Sequence, residues 1–153
     1  MKKIYFTFLI APFCLLADDH KPQGNSVDWE IEAYTTSAPD FIGNFATVIS
    51  ASGEVLREGS NGWTCLPFIA MPKMGFKTKN EAAPACADQN AMAWANAYLS
   101  QTEPKLENDG WIWMLHGDTG VDNFRPYSEG DEKNTDPKDW IYSGAHLMLM
   151  PVS

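Results

Sequence analysis

Hydrophobic and polar positions change period several times along this chain, and each change marks an element. Residues 1–17 begin Met1-Lys2-Lys3, continue as an apolar run from Ile4 to Leu16 broken only by Thr7 and Pro12, and end at Ala17 ahead of Asp18-Asp19. A cationic start, an apolar core too short to cross a ~30 Å hydrocarbon layer and a small residue at the junction form a secretory signal, with cleavage expected after Ala17. Residues 18–27 are polar, contain Pro22 and Gly24, and read as a flexible arm leading to a single globular domain over 28–153.

Within that domain Trp29, Ile31 and Ala33 alternate with Glu30 and Glu32, the period of a strand with one wet face. The run Ala46 to Ser50, the turn residues Ala51-Ser52-Gly53-Glu54 and the segment Val55 to Arg57 predict a hairpin. A second turn at Gly59-Ser60-Asn61-Gly62 leads to a third strand from Trp63 to Leu66, so a meander is expected. Pro67, Pro72, Gly75 and Pro84 make residues 67–84 an irregular connection. From Cys86 to Leu99 the period becomes helical, because Ala87, Ala91, Trp94, Ala95 and Tyr98 fall on one stripe, with Pro84 at its start and Pro104 beyond its end. Trp111-Ile112-Trp113-Met114-Leu115 reads as a central strand, residues 116–139 as a long polar loop, and Trp140 to Tyr142 and Ala145 to Val152 as closing strands. The fold class expected is α+β: a small antiparallel sheet with one main helix packed on it.

Charge narrows the partners. The formal charge is −9, and loss of Lys2 and Lys3 with the signal makes it −11. Such a chain repels phosphate and has no basic amphipathic segment, which argues against nucleic acid and against a membrane surface after signal cleavage. A monomer in the periplasm or outside the cell is expected, meeting an envelope or extracellular ligand that the residues leave open.

The cysteines add a covalent constraint. The chain has 3; Cys14 departs with the signal, leaving Cys65 and Cys86 as a pair in an oxidising compartment. No Cys-X-X-Cys or metal-ligand spacing surrounds them, so a structural disulfide is expected, with Trp63 two positions from Cys65 placed to shield it.

Three sets of residues carry candidate chemistry. His116, Asp118 and His146 flank the polar loop, and two imidazoles with one carboxylate suit zinc or a similar divalent metal. Asp118, Asp122, Asp131, Glu132 and Asp136 present the oxygen ligands of calcium, although EF-hand spacing is absent and Asn134-Thr135-Asp136-Pro137 also reads as turn chemistry. Ser128 and Ser143 lie near His146 in sequence but lack a nucleophile elbow, and no catalytic residue is assigned. Trp111, Trp113 and Trp140 make a possible binding surface, since exposed indoles stack on sugars or partner proteins.

Several short words of this sequence occur together: Gly62-Trp63-Thr64-Cys65 with Pro67, Cys86-Ala87-Asp88, Trp94, Pro104, Met114-Leu115, Gly117-Asp118, Asn134-Thr135-Asp136-Pro137 and Gly144-Ala145-His146. As a set, from about Val48 to Val152, they resemble an uncharacterised family of small exported bacterial proteins. The pattern departs at Ala145, where that family carries proline, and in extra residues between Asp122 and Asn134. The resemblance implies an exported single domain and implies no activity. The function expected from the residues is therefore a non-catalytic binding or interaction module without a cofactor; the alternative is a metal-dependent hydrolytic enzyme, with zinc at His116, Asp118 and His146 or calcium at the carboxylates as the divalent ion.

Overall fold

The computed structural model describes residues 26–122, 124 and 135–152; the expected signal over 1–17 and residues 18–25 of the expected arm lie outside them. The chain runs α1 (Val27–Thr35), α2 (Asp40–Gly43), β1 (Thr47–Ile49), β2 (Val55–Arg57), β3 (Thr64–Pro67), a 3₁₀ turn (Lys79–Ala82), β4 (Pro84–Ala87), α3 (Gln89–Leu99), β5 (Gly110–Met114), β6 (Val121–Asp122), β7 (Trp140–Ile141) and β8 (His146–Met150). Six strands form one sheet in the order β2-β1-β3-β4-β5-β8, while β6 and β7 make a separate two-stranded sheet. The fold is α+β, with α3 packed on a mostly antiparallel sheet and a Cys65–Cys86 disulfide. The expected β1–β2 hairpin is present, with Val48 opposite Arg57. Several local expectations are corrected.

The segment Trp29 to Ala33 is helix, not strand. Ser26 caps it, its Oγ accepting the Trp29 N–H at 3.2 Å, and Asp28 and Glu30 occupy the first turn, where acids meet the positive end of the helix dipole. The Tyr34 hydroxyl donates to Glu30 Oε2 at 2.9 Å one turn away. A five-residue alternation suits either period, and the cap decides between them. Ser26 and Val27 thus belong to α1 rather than to a flexible arm over 18–27.

The first strands are not a meander. After β2 the chain crosses to the other side of β1, so that β3 runs parallel to it with Thr64 beside Thr47 and Cys65 beside Val48. Arg57 Nη2 donates to Gly43 O at 2.6 Å and Ala46 O at 2.9 Å, and Asn61 Nδ2 donates to Ile42 O at 2.8 Å. These polar side chains satisfy backbone carbonyls around α2 and hold the crossing in place.

The helix expected from Cys86 begins at Gln89, because residues 84–87 form a strand between β3 and β5. Ala85, Cys86 and Ala87 continue the small apolar pattern of α3, so periodicity runs through the boundary. Asp88 marks it physically. Its Oδ1 accepts the Ala91 N–H at 2.8 Å as the helix cap, its Oδ2 accepts the Trp111 N–H at 3.0 Å, and its own N–H donates to Trp111 O at 3.1 Å. One carboxylate thereby joins the start of α3 to β5. Gly110 permits the closeness of that junction, since a side chain there would strike the Ala91 backbone. Trp140 and Ile141, expected to close the main sheet, pair instead with β6.

Two cores lie on opposite faces of the sheet. On the α1 face Tyr34, Val48, Cys65, Cys86 and Phe76 are buried, with Trp29, Trp63 and Trp113 packed against them. On the α3 face Ala85, Ala87, Ala91, Ile112 and Met114 are buried, with Met148 and Met150 alongside. Cys65 and Cys86 stand directly opposite each other in the β3–β4 ladder. Their sequence separation of 21 predicts that the Cys65→Ala/Cys86→Ala double variant loses roughly 3 kcal/mol of unfolding free energy, measured in urea. Asp88→Ala is expected to cost about 1–2 kcal/mol in the same assay, through loss of the cap.

Candidate functional site

Side chains on β8 alternate between the two faces. His146, Met148 and Met150 turn toward α3, while Leu147 and Leu149 turn away. With Met114 of β5, the methionines form the floor of a cavity of about 250 Å³. Trp94 of α3 with Phe68, Ile69 and Ala83 makes one side, and Val121 of β6 with Ile141 of β7 makes another. The ring of Trp94 stacks on Tyr98, with centroids 5.5 Å apart, which fixes its plane. The small second sheet, which contributes nothing to the main ladder, thus supplies part of the cavity.

Polar groups gather at one end, where Asp118, Ser143 and His146 line the cavity. Gly117 makes the turn that brings Asp118 there: its φ is +63°, and a side chain would strike Ser143 O. Asp118 Oδ1 accepts the N–H groups of Gly120 at 2.9 Å and Ser143 at 3.0 Å, and its own N–H donates to Ser143 O at 3.0 Å. The loops before β6 and before β8 are therefore stitched together through this aspartate. His146 Nδ1 lies 2.6 Å from Gly144 O. A carbonyl only accepts, so Nδ1 carries the proton and Nε2 of the neutral ring keeps its lone pair.

His116 occupies a different environment. Its Nε2 is 2.7 Å from Thr36 Oγ1, beside Lys79 and Glu32 at the C-terminal end of α1. The Thr36 hydroxyl proton goes to Glu32 O at 2.7 Å, so Thr36 accepts from His116 and Nε2 is a donor. Burial first, and then the Lys79 charge, lowers the His116 pKa against the opposing pull of Glu32. Of the three expected metal ligands, the structure brings Asp118 and His146 to one cavity and places His116 against α1. Among the described residues no three His, Cys, Asp or Glu side chains group as metal ligands do.

The other acidic candidates serve turns. Asp122 Oδ1 accepts the Phe124 N–H and its Oδ2 accepts the Thr135 hydroxyl, while Asp136 Oδ1 accepts the Lys138 N–H at 3.1 Å and caps its own bend. Asp131, Glu132 and Ser128 lie outside the described residues.

The three tryptophans do not share one surface. Trp113 packs against the disulfide core, Trp140 lies in the small sheet, and Trp111 is 40% exposed. On the sheet face opposite the cavity Trp111 stands across from Leu149 and Trp113 from Leu147, and both leucines are exposed. Trp111 therefore belongs to an apolar strip beside the disulfide core. Comparison of the chain with protein-family models, curated proteins and solved structures finds no match in any of the three.

Sequence reasoning placed Trp94 on the buried stripe of the helix and treated the methionines only as strand residues. Met148 and Met150 at alternate positions are the available signal, but their meeting with Met114 depends on the β5–β8 register, which sets Met114 opposite His146 and Met148 opposite Ile112. A depressed histidine pKa means that the folded state binds fewer protons than the unfolded chain below about pH 6.5, so the contribution of His116 is present above that value and is lost on acidification. The melting temperature is expected to fall between about pH 7.5 and about pH 5.5, and to fall less in His116→Gln, which keeps a donor for Thr36 without a titrating ring. Equal falls in both proteins would remove His116 as a source of the pH dependence.

Proposed function

We propose that the protein is an exported, non-catalytic binding module that holds a small, largely apolar molecule in the cavity between α3, β8 and the β6–β7 sheet. The observation that carries this reading is the composition of that cavity: Trp94, Phe68, Met114, Met148 and Met150 around a single polar end. Binding pockets typically combine apolar walls with a few polar groups that fix orientation. An apolar cavity of about 150 Å³ accepts benzene, so one of about 250 Å³ has room for a phenylalkyl chain or a bicyclic ring. The disulfide fits a non-reducing compartment, and no helix among the described residues is long and apolar enough to cross a membrane. The signal-like start of the chain and the resemblance to small exported bacterial proteins support export.

A second reading, the metal-dependent hydrolytic enzyme, draws on the meeting of Asp118 and His146 in the cavity. It requires another ligand in place of His116, whose Nε2 donates to Thr36. The two readings separate in the purified protein. Titration with 2-phenylethanol followed by amide and methyl NMR is expected to shift signals of Trp94, Met114, Met148 and His146, and Trp94→Ala is expected to weaken binding up to about tenfold. Shifts confined to Trp111, Leu147 and Leu149 would move the binding surface to the opposite face. A stoichiometric metal in native mass spectrometry that is lost in both Asp118→Ala and His146→Ala would replace the binding module with the enzyme.

A further inference from the structure

The chemistry of the polar end selects among apolar ligands. The polar side chains described at that end all accept hydrogen bonds: Asp118 and Ser143 through oxygen, His146 through the Nε2 left open when Nδ1–H donates to Gly144 O. With the His146 Nδ1–H committed to Gly144 O, the hydroxyl of Ser143 is the one donor these three side chains leave for a ligand when the imidazole is neutral. Asp118 Oδ1 is engaged by two backbone N–H groups, whereas no hydrogen bond or ion pair to Oδ2 exists among the described residues. Among the described residues no lysine or arginine lines the cavity to neutralise that carboxylate, and the whole chain carries −9. A neutral or anionic head group would leave the carboxylate uncompensated beside an apolar wall, which is costly; a cationic donor would satisfy it.

We propose that the molecule bound in this cavity is a hydrophobic amine, its ammonium group at Asp118 and His146 and its hydrocarbon part against Trp94, Met114 and Met148. The inference rests on the binding-module reading and names the ligand class of that same site. One hydrocarbon skeleton with three head groups tests it: 2-phenylethylamine, 2-phenylethanol and phenylacetate, titrated calorimetrically near neutral pH at about physiological salt, where general attraction of cations to an acidic protein is screened. The amine is expected to bind at least about tenfold more tightly than the alcohol, and phenylacetate more weakly than either. Asp118→Asn keeps Oδ1 as the acceptor for Gly120 and Ser143, so the loops stay joined, and replaces Oδ2 with a donor. In that variant the amine is expected to fall to within about threefold of the alcohol.

Equal affinity for amine and alcohol in the native sequence would overturn the amine assignment and leave the binding module standing. An amine preference that survives Asp118→Asn would also overturn it, since the preference would then come from net charge. Failure of all three compounds to bind would remove the binding-module reading itself, and the amine assignment with it.

Discussion

The structure depends on β4 being buried on both faces. Four residues, Pro84-Ala85-Cys86-Ala87, lie between β3 and β5 and are all covered, by α1 with Trp29, Trp63 and Trp113 on one side and by α3 on the other. Nothing in β4 is larger than proline or cysteine, so both helices approach the sheet closely, and Gly110 on the neighbouring strand extends that closeness at the start of α3. Interiors pack near crystal density, which leaves little freedom for a larger side chain at Ala85 or Ala87 without moving a helix. The disulfide acts on the same strand by joining Cys86 to its opposite residue in β3. Asp88, the next residue but one, ties α3 and β5 together. The bridge, the helix cap and the central ladder thus converge within three residues of chain.

Because that centre is fixed, Trp94 projects from α3 over β8 at a set height, and the cavity is the space left where the second sheet completes the layer. The polar end is fixed separately, by the Asp118 carboxylate joining two loops. Asp118 is not part of β8 or β5, so a change in its carboxylate leaves the methionine floor on those strands in place.

What could be read in the residues follows the range of each interaction. The existence of α3, the β1–β2 turn and the pairing of two thiols are local or combinatorial signals that correspond to the structure, whereas the stripe expected on α3 holds only in part: Ala91 is buried, Tyr98 is exposed and Ala87 lies in β4. Trp29 to Ala33 misled because five residues hold too few repeats to separate a strand from a helix, and the Glu30–Tyr34 hydrogen bond becomes visible only once the helix is assumed. β4 was hidden because small apolar residues suit both a buried strand and the first turn of an amphipathic helix. The parallel β1–β3 pair and the cavity depend on contacts distant in sequence, for which spacing gives no signal. Sequence proximity to one polar loop grouped His116 with His146, yet one residue beyond the end of β5 the chain turns and His116 reaches α1 instead.

The methionine floor carries a consequence for selectivity. Thioether side chains are unbranched and polarizable, and rotate readily to follow the outline of whatever they touch. A wall made from Met114, Met148 and Met150 has a compliant shape, so molecules of differing contour can fill it at similar cost. Discrimination by outline is weak in such a chamber, and discrimination by electrical character falls to the rigid, backbone-anchored acceptors at its end.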